Sequence, residues 1–154
     1  MGPKSYSHLP YIKLLLADDD ADDRLLFEEA LKDIPIQCDF KTVSNGVQLM
    51  DFLRSDSSKL PDVLFLDLNM PLKNGFECLT EIRSRENLKF VSVIIYSTSL
   101  VDDVVNLLYE RGAQYYVRKP GDFSELKKII HTALVLALDA RYEQPPKENF
   151  VIEV

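Results

Sequence analysis

Cysteine is scarce in this chain: only Cys38 and Cys78 occur in 154 residues, far apart and in no CxxC spacing. With no His pair beside them, they exclude a zinc site of ordinary ligand spacing and a disulfide framework, and they read as buried thiols in a reducing compartment. Long apolar runs are also missing. Met1 to Pro10 lacks the apolar core of a signal peptide, and nothing approaches the ~18 residues that a membrane span needs. The expected location is therefore the cytoplasm, with no membrane contact. Basic residues are outnumbered, 18 Lys and Arg against 25 Asp and Glu, for a formal net charge of −7. Gripping a nucleic-acid backbone requires clustered Lys and Arg, so nucleic acid is excluded as the main partner. No repeat and no low-complexity segment interrupts the chain. A length of 154 residues, 46% of them apolar, fits one globular domain with a proper core, and no separate output domain is expected.

What is present centres on Val63-Leu64-Phe65-Leu66-Asp67. Four successive apolar residues after Pro61-Asp62 read as a strand buried on both faces, which leaves Asp67 at its carboxyl end, where open α/β sheets place their chemistry. Ile12 to Ala17 also runs straight into acid at Asp18-Asp19-Asp20, and five acids fall between Asp18 and Asp23. If the two strands are parallel neighbours, these carboxylates converge. Carboxylates a few Å apart resist joint ionisation and call for a cation. An all-oxygen, anionic site suits a hard divalent ion, Mg²⁺ rather than Zn²⁺.

The rest of the chain alternates strand and helix. The first helix has Asp20 or Asp22 as its cap, Phe27, Ala30, Leu31 and Ile34 on one face, and Pro35 beyond its end. Cys38 to Val43 is a second strand, closed by Ser44-Asn45-Gly46. Val47, Met50 and Leu53 mark a short helix. After Asp67 comes a loop with Pro71 and Gly75, then a helix with Phe76, Leu79 and Ile82 inward. Val91 to Tyr96 is a strand ending in Ser97-Thr98-Ser99. Val101, Val104, Val105 and Leu108 mark a fourth helix, which Gly112 ends as a left-handed cap. Tyr115 to Val117 is a fifth strand leading into Arg118-Lys119-Pro120. A last helix begins at Phe123 and stops before Pro145-Pro146. Five such alternations give a parallel sheet with right-handed crossovers and helices on both faces.

Asp18-Asp19, Asp67 followed by Asn69-Met70-Pro71 and Gly75, Ser97, Tyr116 and Lys119-Pro120 stand in order at the strand ends. Together they resemble the receiver domain of two-component response regulators over about residues 11 to 143, and most of all the small stand-alone regulators that partner phytochrome-type kinases. The resemblance implies a doubly wound, five-stranded, flavodoxin-like sheet in strand order 2-1-3-4-5. It sets off an N-terminal extension at 1–10, a receiver domain at 11–143 and a C-terminal tail at 144–154. It implies Asp67 as phosphoacceptor, with Mg²⁺ held by Asp18, Asp19, Asp67 and the backbone carbonyl of Asn69. Lys119 and Ser97 would bind the phosphoryl oxygens. Ser97 and Tyr116 would form the switch, Tyr116 swinging inward as Ser97 is drawn to the phosphoryl group. The implied partner is a sensor histidine kinase or phosphotransfer protein, and the implied function is a phosphorylated switch of protein contacts rather than an enzyme acting on outside substrates.

Two other classes compete with this reading. A Mg²⁺-dependent phosphatase with an aspartyl nucleophile uses similar residues but carries a second acid where Asn69 stands, and a non-catalytic interaction module would not need the full set. A calcium loop over Asp18, Asp20, Asp22 and Glu29 fails at Asp23, where the turn requires Gly. Arg24, His8 and His131 read as structural or solvent-facing. Ser97 replaces the Thr of many receivers, and Gly121 stands where many are bulkier. Ala133 to Leu138 is apolar nearly all round, which points to a homodimer through the last helix, the fifth strand or the tail. Phe150 to Val154 has strand character suited to a sheet edge.

Overall fold

A computed structural model describes residues 11–55 and 59–153. His8 and the rest of the extension at 1–10 lie outside these residues. The elements run β1 (Ile12–Ala17), α1 (Ala21–Lys32), β2 (Cys38–Val43), α2 (Gly46–Arg54), β3 (Val63–Leu66), α3 (Gly75–Ser84), β4 (Ser92–Ser97), α4 (Asp102–Glu110), β5 (Tyr115–Arg118), α5 (Phe123–Ala140) and β6 (Val151–Ile152). All strands pair in parallel, in the order β2-β1-β3-β4-β5-β6. The expected order of five strands is present, and a sixth, from the tail, is added to the β5 edge.

β1, β3 and β4 are central and largely apolar, interrupted only by Lys13, Ser92 and Ser97, because helices cover both faces. Alternate side chains go to opposite cores. Leu14, Leu16, Phe65 and Ile94 meet Phe27 and Ala30 of α1 and Ile130, Ala133 and Leu134 of α5. Leu15, Leu64, Leu66 and Ile95 meet Leu49 and Leu53 of α2, Cys78, Leu79 and Ile82 of α3, and Leu108 of α4. Phe27 stacks on Phe40 and takes Phe65 and Tyr96 edge-on, with Phe27 and Phe65 centroids 4.9 Å apart. These rings fix the ends of β3 and β4 against α1, close to the acidic loop ends.

Some faces differ from the sequence reading. Val47 is largely exposed, with Leu49 taking the inward position on α2. On α4 only Leu108 is buried, while Val101, Val104 and Leu107 look outward. On α5, Val135 and Leu136 are the outward apolar pair within the run that is apolar all round. Cys78 is buried, but Cys38 is half-exposed. Among the described residues no helix is long and apolar enough to cross a membrane.

Two backbone approaches shape the upper loops. A Cβ on Gly75 would lie 2.2 Å from the carbonyl oxygen of Asp67, so α3 can start against that peptide only with glycine there. A Cβ on Gly46 would lie 2.0 Å from the carbonyl oxygen of Lys73. Asn74 caps α3 in a capping box with Glu77. Gly112, at φ 97°, ends α4.

Candidate functional site

The register of β1 on β3 sets Ala17 beside Leu66, so both strands release their chains at the same level. Asp18 donates its backbone N–H to Val43 and Asp67 donates its own to Ala17, at 3.1 and 2.9 Å, which holds both residues in extensions of the ladder. Asp18 is fully buried and Asp67 nearly so. Asp19 is exposed, and one carboxylate oxygen from each of Asp18, Asp19 and Asp67 lies within 4.8 Å of the others. The convergence expected from the two apolar runs is present.

β5 delivers Lys119 from the other side. Its N–H donates to the carbonyl of Ser97 at 2.8 Å, and its ammonium lies 2.8 Å from Asp18 Oδ2, 2.9 Å from Asp23 Oδ2 and 3.7 Å from Asp67 Oδ2. It also sits 5.1 Å from the centroid of the Tyr96 ring. Burial on its own would lower the Lys119 pKa, but the ion pairs with Asp18, Asp23 and then Asp67 outweigh it and raise the value. Burial also raises the phenol of Tyr96, helped by Asp23, Asp18 and Asp67, so the ring is a neutral face beneath the ammonium.

Asp67 has less compensation. Burial lifts its carboxyl from 3.8 to about 7; Lys119 pulls it down, Asp18 pushes it up, the N–H of Asn69 lowers it, and Asp19 raises it. The Asn69 N–H approaches Asp67 Oδ1 at 3.4 Å, a weak contact. Asp18 Oδ1 accepts the N–H of Asp20 at 3.0 Å, whereas the buried Oδ2 has its ion-pair contact with Lys119 but no hydrogen bond of good geometry. An under-satisfied buried carboxylate oxygen beside two further carboxylates, all hard donors, fits a divalent cation.

Asp20 caps α1, accepting from the N–H groups of Asp22 and Asp23 at 2.8 and 3.1 Å, which leaves no calcium loop. Asp23, in the first turn of α1, also holds Lys119. Arg24 is structural: its guanidinium donates to the backbone carbonyl of Asp18 at 2.7 Å. Neither the Asp23 contact nor the Tyr96 platform was found from the sequence. An acid one turn into α1, facing the strand end that carries Lys119, was the available signal.

Ser97 ends β4 and is fully buried. Its hydroxyl lies 3.2 Å from Ser99 Oγ and accepts the Ser99 N–H at 3.3 Å. Tyr116 is already inward, with no exposed surface, and its hydroxyl donates to the carbonyl of Ser99. Asp18, Asp19, Asp67 and Lys119 are thus gathered at one point. Ser97 stands at the end of the adjacent strand, and Tyr116 contacts the loop that follows Ser97. His131 is a half-buried residue of α5, on an element that brings no ligand to this cluster.

The sequence matches the response regulator receiver domain family over residues 14–131. The chain belongs to that family. The response regulator Rcp1 of Synechocystis sp. is 34% identical to this receiver over 128 residues, which cover 80% of this chain and 86% of Rcp1. Among solved structures, the phosphorylated cyanobacterial phytochrome response regulator RcpA superposes with a TM-score of 0.76 at 31% identity, covering 85% of this chain and 96% of RcpA. The Mn²⁺-bound form of Rcp1 gives 0.74 at 29% identity, covering 87% of this chain and 99% of Rcp1. These similarities agree with a role in two-component phosphorelay signalling.

Proposed function

We propose that this receiver accepts a phosphoryl group from a phosphohistidine of a sensor histidine kinase, or of a phosphotransfer protein, onto Asp67, and changes its protein contacts in response. The observation that carries the reading is the convergence of three carboxylates with a shared lysine at the ends of β1, β3 and β5. Mg²⁺ is the proposed ion, held by Asp18, Asp19, Asp67 and the carbonyl of Asn69; when bound, it would neutralise charge on the phosphoryl oxygens.

In the transfer, a carboxylate oxygen of Asp67 forms a bond to phosphorus as the bond from phosphorus to the histidine nitrogen breaks. The leaving electron pair stays on that nitrogen, which takes up a proton. Lys119, 3.7 Å from Asp67 Oδ2, is the proposed partner of one phosphoryl oxygen. Its charge is delivered by a compact ammonium without demanding a fixed planar geometry. The Ser97 hydroxyl, held now by Ser99, is the proposed donor to a second oxygen. Asn69 stands where an aspartyl phosphatase carries its second acid, which supports a protein that modifies itself over one that turns over outside phosphomonoesters. Residues 11–143 form the proposed receiver unit, and the cytoplasm is its proposed location.

A homodimer is the proposed assembly. β6 covers the β5 edge, and Val135 and Leu136 of α5 face outward, which favours α5 as the contact. A monomer in sedimentation at high concentration, with and without phosphorylation, would remove this part of the reading. The main test is intact mass after incubation with Mg²⁺ and acetyl phosphate. A gain of one phosphoryl group, lost in Asp67→Asn and in chelator, is expected. An unchanged mass with small donors and with phosphorylated kinase alike would overturn the reading.

A further inference from the structure

The segment after α5 is built into the fold far from the acidic cluster in sequence. The chain reverses at Arg141, whose φ is 57°, and its carbonyl accepts the Ser92 hydroxyl at 2.9 Å. Gln144 donates to the carbonyls of Tyr109 and Ala113, both at 2.7 Å, and Tyr109 donates its hydroxyl to the carbonyl of Pro145 at 2.7 Å. β6 then pairs with β5, setting Val151 opposite Tyr116. Phe150, 1% exposed, is driven between two rings, with centroids 5.1 Å from Tyr109 and 6.3 Å from Tyr116. Its carbonyl accepts the Tyr116 N–H at 3.0 Å.

These contacts close a chain of direct bonds to the site. Phe150 backs the ring and the backbone of Tyr116; the Tyr116 hydroxyl holds the carbonyl of Ser99; and Ser99 holds the hydroxyl of Ser97. Ser99 lies on the exposed loop between β4 and α4. We propose that Phe150 is a positioning residue for phosphorylation of Asp67, acting through Tyr116 and Ser99 on the Ser97 hydroxyl, so that the C-terminal segment sets the reactivity of the site. The inference rests on the proposed phosphoryl transfer. None of its links touches Asp18, Asp19 or Asp67, so loss of Phe150 should leave ion binding alone while loosening the placement of Ser97. Sub-ångström looseness in a positioning group is enough to slow a transfer.

The experiment compares the full chain with Phe150→Ala, Phe150→Leu, Tyr116→Phe and the double variant Phe150→Ala/Tyr116→Phe. Three readouts are taken: divalent-ion affinity, the rate of phosphorylation by acetyl phosphate at saturating Mg²⁺, and hydrogen exchange of the Ser99 amide. Phe150→Ala is expected to slow phosphorylation about 3- to 10-fold, within the roughly 2- to 30-fold span of coupling carried through packed networks. Ion affinity stays unchanged, Ser99 exchange accelerates, and Phe150→Leu, which refills the space, restores most of the rate. Tyr116→Phe keeps the ring and removes only the hydroxyl, so it tests the path even where Phe150→Ala unfolds. It should slow the reaction similarly, and the double variant should be no slower than the slower single one. Equal rates, a parallel fall in ion affinity, or fully additive effects would overturn the inference. If the wild-type chain takes no phosphoryl group, the proposed function fails, and the Ser99 exchange rate still decides the path: faster in Phe150→Ala supports it, unchanged refutes it.

Discussion

Replacing the proposed phosphoacceptor should stabilise the protein in metal-free buffer. Burial and the neighbouring Asp18 and Asp19 raise Asp67 from 3.8 to about 7, against the pull of Lys119 and the Asn69 N–H. An acid whose folded value lies above its unfolded value binds its proton more tightly in the folded state. Its penalty is absent below about 4, grows as pH rises through the window between 3.8 and about 7, and is complete above it. At 1.36 kcal/mol for each pH unit, that window sets a ceiling of about 4 kcal/mol. Local relaxation around the buried carboxylate, as in proteins generally, reduces this, so about 2 kcal/mol is expected for Asp67→Asn at pH 8. For a chain of this size, that corresponds to a rise in Tm of about 4–8 °C. The gain should shrink toward zero at pH 4. It should also fall when Mg²⁺ is added, because the ion binds the folded wild type and contributes about 2.7 kcal/mol at a hundred times its Kd. Thermal or urea unfolding of both proteins at pH 4 and pH 8, with EDTA and with Mg²⁺, provides the assay. An Asp67→Asn protein no more stable than wild type at pH 8 in EDTA, or a difference that ignores pH and metal, would refute the electrostatic account of the site.

Two further expectations follow from the scaffold. Glu81, ion-paired with Lys73, Arg85 and Arg54, is held down to about 2, chiefly by hydrogen bonds from Lys73 and Arg85. Its stabilisation is present above about 4.5 and lost as pH falls through about 2, so Glu81→Gln should cost about 1 kcal/mol at pH 7 after solvent screening and nothing near pH 2, measured by urea unfolding. Gly75→Ala forces a Cβ to 2.2 Å from the carbonyl oxygen of Asp67, so it should lower Tm by several degrees and weaken divalent-ion binding at least about tenfold, read by calorimetry. Unchanged ion affinity in that variant would show that the approach of α3 does not set the Asp67 loop.

Much of this was legible in the sequence because it rests on local pattern. Largely apolar runs announced β1, β3 and β4, and the acids immediately after β1 and β3 placed Asp18, Asp19 and Asp67 at the carboxyl end of the sheet. Gly112 and Asp20 announced helix termini through their backbone and capping chemistry. What could not be read depends on which side of an element meets which neighbour. Asp23 lies in the first turn of α1, where the helix dipole favours acid, yet the packing of α1 against the end of β5 gives it Lys119 as well. Val101, Val104, Val105 and Leu108 read as a core stripe, but α4 packs through Leu108 and the half-buried Val105 and leaves Val101 and Val104 outside. The strand character of Phe150 to Val154 was visible, whereas the docking of Phe150 depends on a pocket made by Tyr109 and Tyr116 from two other elements. Tyr116, expected to swing inward, is inward already, held there by Ser99 in front and Phe150 behind.

The central claim is that Asp67 forms an acyl phosphate. The most direct measurement is borohydride trapping after treatment with Mg²⁺ and acetyl phosphate, or with phosphorylated kinase, followed by peptide mass mapping. Hydride reduces an aspartyl phosphate to homoserine and releases phosphate, so the modified residue is marked permanently. The account predicts homoserine at position 67 alone, absent from chelated samples. Homoserine at Asp18 or Asp19 instead, or at no position in protein shown to be folded, would contradict it.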